Sequence, residues 1–259
     1  MQTTFQTFNK QKLNLHGILD IPDGEGPYPA IVVLHGFTGF KEELHIQDFA
    51  LELAKAGFVA FRFDASGFGG SEGTIEDDFR VSNYLDDISC ILDYAESHKE
   101  VDSSLIGVCG HSMGAGLAII KAAQDSRIKA VCAVQPSAIL MKAGQSSYDL
   151  KQWESAGWLE MSCEHPKYSK IRLPWDFATD RNRFDAVSAA GELQAPLMVM
   201  YGTEDSGVGS QPLTIFESAR EPKELVRLDG FNHDFRHREH ERKVVNQHLV
   251  DFFNRTLKT

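Results

Sequence analysis

The sequence predicts an α/β fold, a mostly parallel sheet with helices on both faces, an antiparallel hairpin at one edge and one insertion. Three observations carry the prediction. Short apolar runs alternate with stretches of helical period almost throughout the 259 residues, and strands alternating with helices build a parallel sheet covered on both sides. Two runs of period two stand at the N-terminus, as a hairpin requires. The rhythm fails once, between Pro136 and Asp185, where all the tryptophans (Trp153, Trp158 and Trp175) fall.

The elements follow in order. The hairpin lies near Thr3–Phe8 and Leu13–Asp20, followed by a turn-rich stretch from Pro22 to Pro27. AIVVLHG is apolar on both faces, as a central strand is. Ile46, Phe49, Ala50, Leu53 and Ala54 keep helical spacing, and Gly57 stands where a C-terminal cap would. FVAFRFD is the next strand, and Val81, Tyr84, Leu85, Ile88, Ile91, Leu92 and Ala95 mark a helix. SLIGVCG, GAGLAIIKAAQ and IKAVCAV read as strand, helix, strand. APLMVMYG and KELVRLDG are strands around a helix, PLTIFESARE. Val244, Val245, Leu249, Phe252 and Phe253 mark the last helix. Roughly fifty residues without a strand–helix period are too many for a plain loop. Residues 137–185 are therefore expected to form a cap inserted into a sheet domain made of residues 1–136 and 186–259.

Composition narrows the function. Lys and Arg number 26 against 37 Asp and Glu, a formal charge of −11. Such a chain has no net field to attract phosphates, so nucleic-acid and membrane partners are not expected. With 42% hydrophobic and 24% charged residues, disorder is not expected either. Cys90, Cys109, Cys132 and Cys163 are widely spaced, without a C-x-x-C pair, and most lie in apolar runs as packing residues. The N-terminus lacks a basic start followed by an apolar stretch, and no run is long enough to span a membrane. A reduced, cytoplasmic, soluble protein is expected, and a homodimer is left open.

The chemistry centres on Gly110-His111-Ser112-Met113-Gly114. This G-x-S-x-G stands directly after an apolar strand and directly before a helix, the placement that exposes a serine hydroxyl on a tight turn. The plainer reading is a Gly-rich helix start with an idle serine. A serine hydroxyl needs a base and the base an orienting acid. Asp205 follows APLMVMYG and His233 follows KELVRLDG, so the chain order is Ser112, Asp205, His233, each at the C-terminal end of a predicted strand. Glu204 is the rival acid. An oxyanion needs two N–H donors. Met113, next to the nucleophile, is one candidate, and Phe37, in the HGFTG loop after the first central strand, is the other. His35 is expected to brace that loop.

HGFTG, DASGFGGSEG, GHSMGA, YGTED and GFNH occur in this order over nearly the whole chain. On these motifs the sequence resembles a serine hydrolase of the α/β-hydrolase superfamily and is similar to its cinnamoyl/feruloyl esterase-like and serine-aminopeptidase-like branch. The resemblance implies the α/β-hydrolase fold and hydrolysis of a small-molecule carboxylic ester through an acyl-enzyme. It implies no metal and no organic cofactor. Ala115 stands where a further glycine is frequent, which changes little. A serine at the elbow argues against the epoxide-hydrolase and dehalogenase branches, which need an aspartate there. The cap matches no substrate-binding pattern, which leaves the acyl group open.

Other features have plainer readings. Trp153, Trp158 and Trp175, with Phe177 and Tyr168, are candidates to line an aromatic acyl pocket or simply to pack the cap. His233, His237 and His240 have helical spacing, but without the H-E-x-x-H order they read as a polar helix start rather than a metal face. Gly67-Phe68-Gly69-Gly70 lacks the ending of a phosphate loop and reads as a turn tied down by Asp64. Lys41, Glu42 and Glu43 read as an exposed first helical turn. Thioesterase, acyltransferase or peptidase chemistry would use the same residues. A small-molecule receptor that keeps the fold and uses the pocket for binding is the alternative outside enzymes, and turnover of graded esters separates it.

Overall fold

Alternating side chains and a tight turn pair Gln2–Phe8 (β1) with Asn14–Asp20 (β2) in antiparallel register. Gly17 stands opposite Phe5, and a Cβ there would collide with the Phe5 ring, so the glycine leaves room for the aromatic. The computed structural model describes residues 1–141 and 148–258. Residues 142–147, within the predicted insertion, lie outside the described residues.

Tyr28–Leu34 (β3), Leu44–Lys55 (α1), Val59–Phe63 (β4), Val81–Ser97 (α2), Val101–His111 (β5), Met113–Gln124 (α3) and Ile128–Val134 (β6) follow. After the insertion come Ala186–Glu192, Leu197–Gly202, Gln211–Ser218, Lys223–Leu228 and Glu239–Leu257. Within the insertion Leu150–Ala156 (α4), Trp158–His165 (β7), Tyr168–Pro174 (β8) and Trp175–Arg181 (α5) make a two-stranded antiparallel sheet flanked by short helices. The later elements are then α6, β9, α7, β10 and α8. Among the described residues the main sheet has eight strands in the order β1-β2-β4-β3-β5-β6-β9-β10. It is parallel from β4 to β10, and the hairpin joins antiparallel through β2.

The apolar runs read as central strands are buried because helices cover both faces. Ile88 of α2, Leu117 of α3 and Ile215 of α7 pack on one face, and Phe49 of α1 and Leu249 of α8 on the other. From β3 the chain steps to one side for β4 and to the other for β5. Such a reversal opens a crevice at the C-terminal ends of the strands, where ligands bind in open α/β sheets. No helix among the described residues is long and apolar enough to cross a membrane.

Three readings need correction. Lys41–Glu43 is not an exposed helical turn: α1 begins at Leu44, and the side chains of Lys41 and Glu43 are only 12% and 10% exposed. Lys41 is drawn in by Asp64, 2.6 Å from its Nζ, and Glu43 by Arg236 at 3.3 Å. HDFRHREH is not one helix start either, because His233 sits in a loop, Phe235–His237 make a 3-10 turn and α8 begins only at Glu239. Finally, α6 was not anticipated. It spans barely two turns, too few to show a period, and is started by Asp185, whose side chain accepts from Val187 N at 2.9 Å. The loop after β4 is a turn tied down by Asp64, as expected, with Asp64 Oδ2 accepting from Gly70 N at 2.7 Å.

Candidate active site

β5 ends at His111 and α3 starts at Met113, leaving Ser112 alone on the turn at φ 55° and ψ −118°. That is strained backbone for a residue with a Cβ, and it persists because the surroundings hold it. Ser112 N donates to Val134 O at 3.0 Å, and Ser112 O accepts from Gly116 N at 3.1 Å and Ser137 N at 3.0 Å. Glycines are required on both sides. A Cβ on Gly110 would lie 2.6 Å from the Gly114 carbonyl carbon, and one on Gly114 would lie 2.6 Å from Leu34 O and collide with His35 O. The G-x-S-x-G spacing is thus the packing condition for helix α3 to leave the sheet at this angle.

The loops after β9 and β10 bring Asp205 and His233 to this serine. His233 Nε2 is 3.0 Å from Ser112 Oγ, and His233 Nδ1 is 2.8 Å from Asp205 Oδ2. The other oxygen, Asp205 Oδ1, accepts from Gly207 N at 2.8 Å and Val208 N at 3.2 Å, so the carboxylate is oriented from both ends. Asp205 is buried while Glu204 is exposed, and only Asp205 faces the imidazole. The His233 loop is itself held, since Gln135 Nε2 donates to Asn232 O at 2.9 Å.

Phe37 and Met113 both line the cleft over Ser112. Among the described residues neither backbone N–H has a protein acceptor. The Phe37 ring packs 5.3 Å from Phe177 of α5 and 6.1 Å from Phe79 between centroids. His35 braces this loop as expected. Its Nε2 accepts from Ala65 N at 3.2 Å, which leaves Nδ1–H to donate to Gly36 O at 2.9 Å. Beneath the serine, His111 lies 4.7 Å from His45 and 4.8 Å from His233 between centroids. Burial pushes the pKa of His45 and His111 well below the usual histidine range, so both stay neutral beside His233.

The cleft is about 350 Å³. Trp153, Trp158 and Trp175 are not among its lining residues, so of the two readings of these side chains the acyl-pocket one is corrected. Trp153 is buried inside the insertion, 5.7 Å from Trp175 between centroids and donating its Nε1–H to Leu173 O at 3.2 Å, while Trp158 is 39% exposed with Arg172 over its ring. Trp153, with Trp175 against it, packs with Phe177 and Leu173 into the core on one face of the main sheet, and that use takes those indoles away from the cleft. The cleft holds instead Glu43, Arg181 and Arg236, none of which sequence reasoning found. Arg236 pairs with Glu43 at 3.3 Å and with Glu164 of β7 at 3.2 Å, joining the insertion to the main sheet's loops. Burial raises the Glu43 carboxyl to about 7 against the opposing pull of Arg236. No linear signal marks these residues, because they come from segments far apart in the chain.

Comparison with known proteins follows the same lines. The family model described as Serine aminopeptidase, S33 matches residues 26–164. An Escherichia coli protein described as an uncharacterized 31.7 kDa protein in the traX-finO intergenic region is 34% identical over 111 residues, covering 43% of this chain and 38% of its own. The matched part of this chain thus spans less than half the length of such curated relatives. Est1E of Butyrivibrio proteoclasticus, solved with ferulic acid bound, superposes with a TM-score of 0.85 at 22% identity, over 98% of this chain and 100% of that one. The α/β hydrolase GrgF of Penicillium sp. sh18 superposes with a TM-score of 0.83 at 18% identity, over 100% of both chains.

Proposed function

Since the chain belongs to the serine aminopeptidase S33 family and has the α/β-hydrolase fold, we propose that it is a serine hydrolase that cleaves small carboxylic esters through an acyl-enzyme. The observation that carries this reading is the line from Asp205 through His233 to Ser112, at 2.8 and 3.0 Å. Asp205 accepts the Nδ1–H of His233, which leaves the Nε2 lone pair facing the serine hydroxyl. Ser112 Oγ attacks the ester carbonyl while its proton passes to Nε2. The amides of Phe37 and Met113, with the N-terminus of α3 behind Met113, stabilise the oxyanion, and one such donor is worth about 3 kcal/mol in the transition state. The tetrahedral intermediate collapses, and the alcohol leaves with the proton from Nε2. Water then gives a proton to Nε2 and adds to the acyl carbon. The acid departs, and Ser112 regains its hydrogen.

In this reading residues 137–185 are the cap that selects the substrate. The bound ferulic acid of Est1E supports a carboxylic-acid product of modest size, which a cleft of about 350 Å³ accommodates. The test is turnover of p-nitrophenyl esters of graded chain length, with intact-protein mass spectrometry to trap the acylated serine. Ser112→Ala is expected to fold normally, to form no acyl adduct and to lose about three orders of magnitude or more in kcat. Rapid multiple turnover by that variant would remove Ser112 as nucleophile.

A further inference from the structure

Arg181 ends α5 and lines the Ser112 cleft. Its Nε donates to Ile139 O at 2.5 Å and its Nη2 to Ser137 Oγ at 3.3 Å. Ser137 N in turn donates to Ser112 O at 3.0 Å, so one residue separates the guanidinium from the serine backbone. Among the described residues no carboxylate pairs with Arg181. The acids next to it in the chain are engaged elsewhere: Asp180 accepts from Ser82 N at 2.9 Å and from Arg183 at 3.1 Å, and Asp185 caps α6. The stretch Lys142–Ser147 contains no Asp or Glu that could serve instead.

The contrast with Arg236 is instructive, since the two arginines line one cleft. Arg236 is balanced by Glu43, Glu164 and Asp234. Among the described residues Arg181 has no carboxylate partner and donates to the Ile139 carbonyl and the Ser137 hydroxyl, and burial pulls its pKa down to about 10. Holding a half-buried guanidinium without a counter-charge is costly, and an anion entering the cleft would offset that cost. An arginine fork fits a carboxylate better than any other small group, because its paired N–H donors match the two oxygens. Leu140, Met141 and Val208 share the lining and suit a short hydrocarbon chain.

We propose that Arg181 recognises a carboxylate carried by the substrate, so that the cleft prefers esters with an anionic end to their neutral counterparts. This rests on the reading of Ser112 as the nucleophile.

The test compares kcat/KM of the full chain on matched esters. Mono-p-nitrophenyl glutarate against p-nitrophenyl butyrate places the anion on the acyl side, and 4-acetoxybenzoate against phenyl acetate places it on the alcohol side. One anionic ester is expected to exceed its neutral counterpart by about tenfold or more, mainly through KM. The ratio should fall toward unity in Arg181→Met and be partly restored in Arg181→Lys, with melting curves confirming the fold. If Arg181→Met does not fold, the wild-type ratios together with competitive inhibition by glutarate decide. Turnover of the neutral esters with no preference for either anionic one overturns the assignment, as does a preference that survives Arg181→Met. If no ester is turned over at all, the nucleophile reading fails, and glutarate binding to Ser112→Ala by calorimetry judges Arg181 separately. Binding that disappears in the Ser112→Ala, Arg181→Met double variant sustains the inference, and absence of binding overturns it.

Discussion

Asp205 is held from both ends, with two backbone amides on Oδ1 and the His233 imidazole on Oδ2. An amide in its place can accept on one side only, so it either gives up the backbone donors or turns its NH₂ to His233 and inverts the tautomer. Asp205→Asn is therefore expected to lower kcat/KM by about 10⁴-fold with the fold intact. Glu204→Gln, on an exposed side chain, should change it by no more than about twofold. Parallel kinetics on one p-nitrophenyl ester check both, and the reverse pattern would move the acid to Glu204. The positions of Ser112, Asp205 and His233 were readable because each follows a strand and their order is characteristic. Glu43, Arg181 and Arg236 were not, since nothing near them in the chain says that they share a cleft. The tryptophans could be read either way for the opposite reason, because a rare and conspicuous residue type says nothing about which way it faces.

At the scale of elements, the strand–turn–helix of β5, Ser112 and α3 shows how tightly the site depends on packing. Gly114 faces the carbonyls of Leu34 and His35 at the end of β3, with no room for a Cβ. Gly114→Ala is expected to destabilise the chain by about 1–3 kcal/mol, measured by urea unfolding, and to lower turnover by displacing Ser112 from His233. Wild-type stability together with wild-type turnover would contradict this account of the elbow. Long periodic elements were legible for the same reason that they are stable, because their buried faces repeat along the chain. The helix α6 and the 3-10 turn before α8 carry too few residues to repeat anything. The insertion's hairpin alternates along β7, yet the short helices around it left the stretch without a period that could be read as one unit.

Stability belongs to the whole molecule, and Glu43 couples it to pH. Its carboxyl is raised from 4.5 to about 7 because burial outweighs the attraction of Arg236. Between those values the folded chain keeps a proton that the unfolded chain has released, so this group weakens the fold as pH rises through that window. Glu43→Gln cannot release a proton. Relative to the parent, the variant should gain on the order of 2–3 kcal/mol between pH 5 and pH 8, read from urea unfolding at each pH. A difference that does not change with pH would show that Glu43 is ionised throughout. The alternation of strands and helices, the serine turn after β5, and the order of Ser112, Asp205 and His233 are written in the sequence, because they depend on residues close together or on strand ends counted along the chain. The company that Ser112 keeps is decided only in three dimensions. Which charges line its cleft, which of them are balanced, and where the insertion turns its aromatics depend on contacts between segments far apart in sequence, and burial, which sets the energy of every such charge, is a property of the packed chain alone.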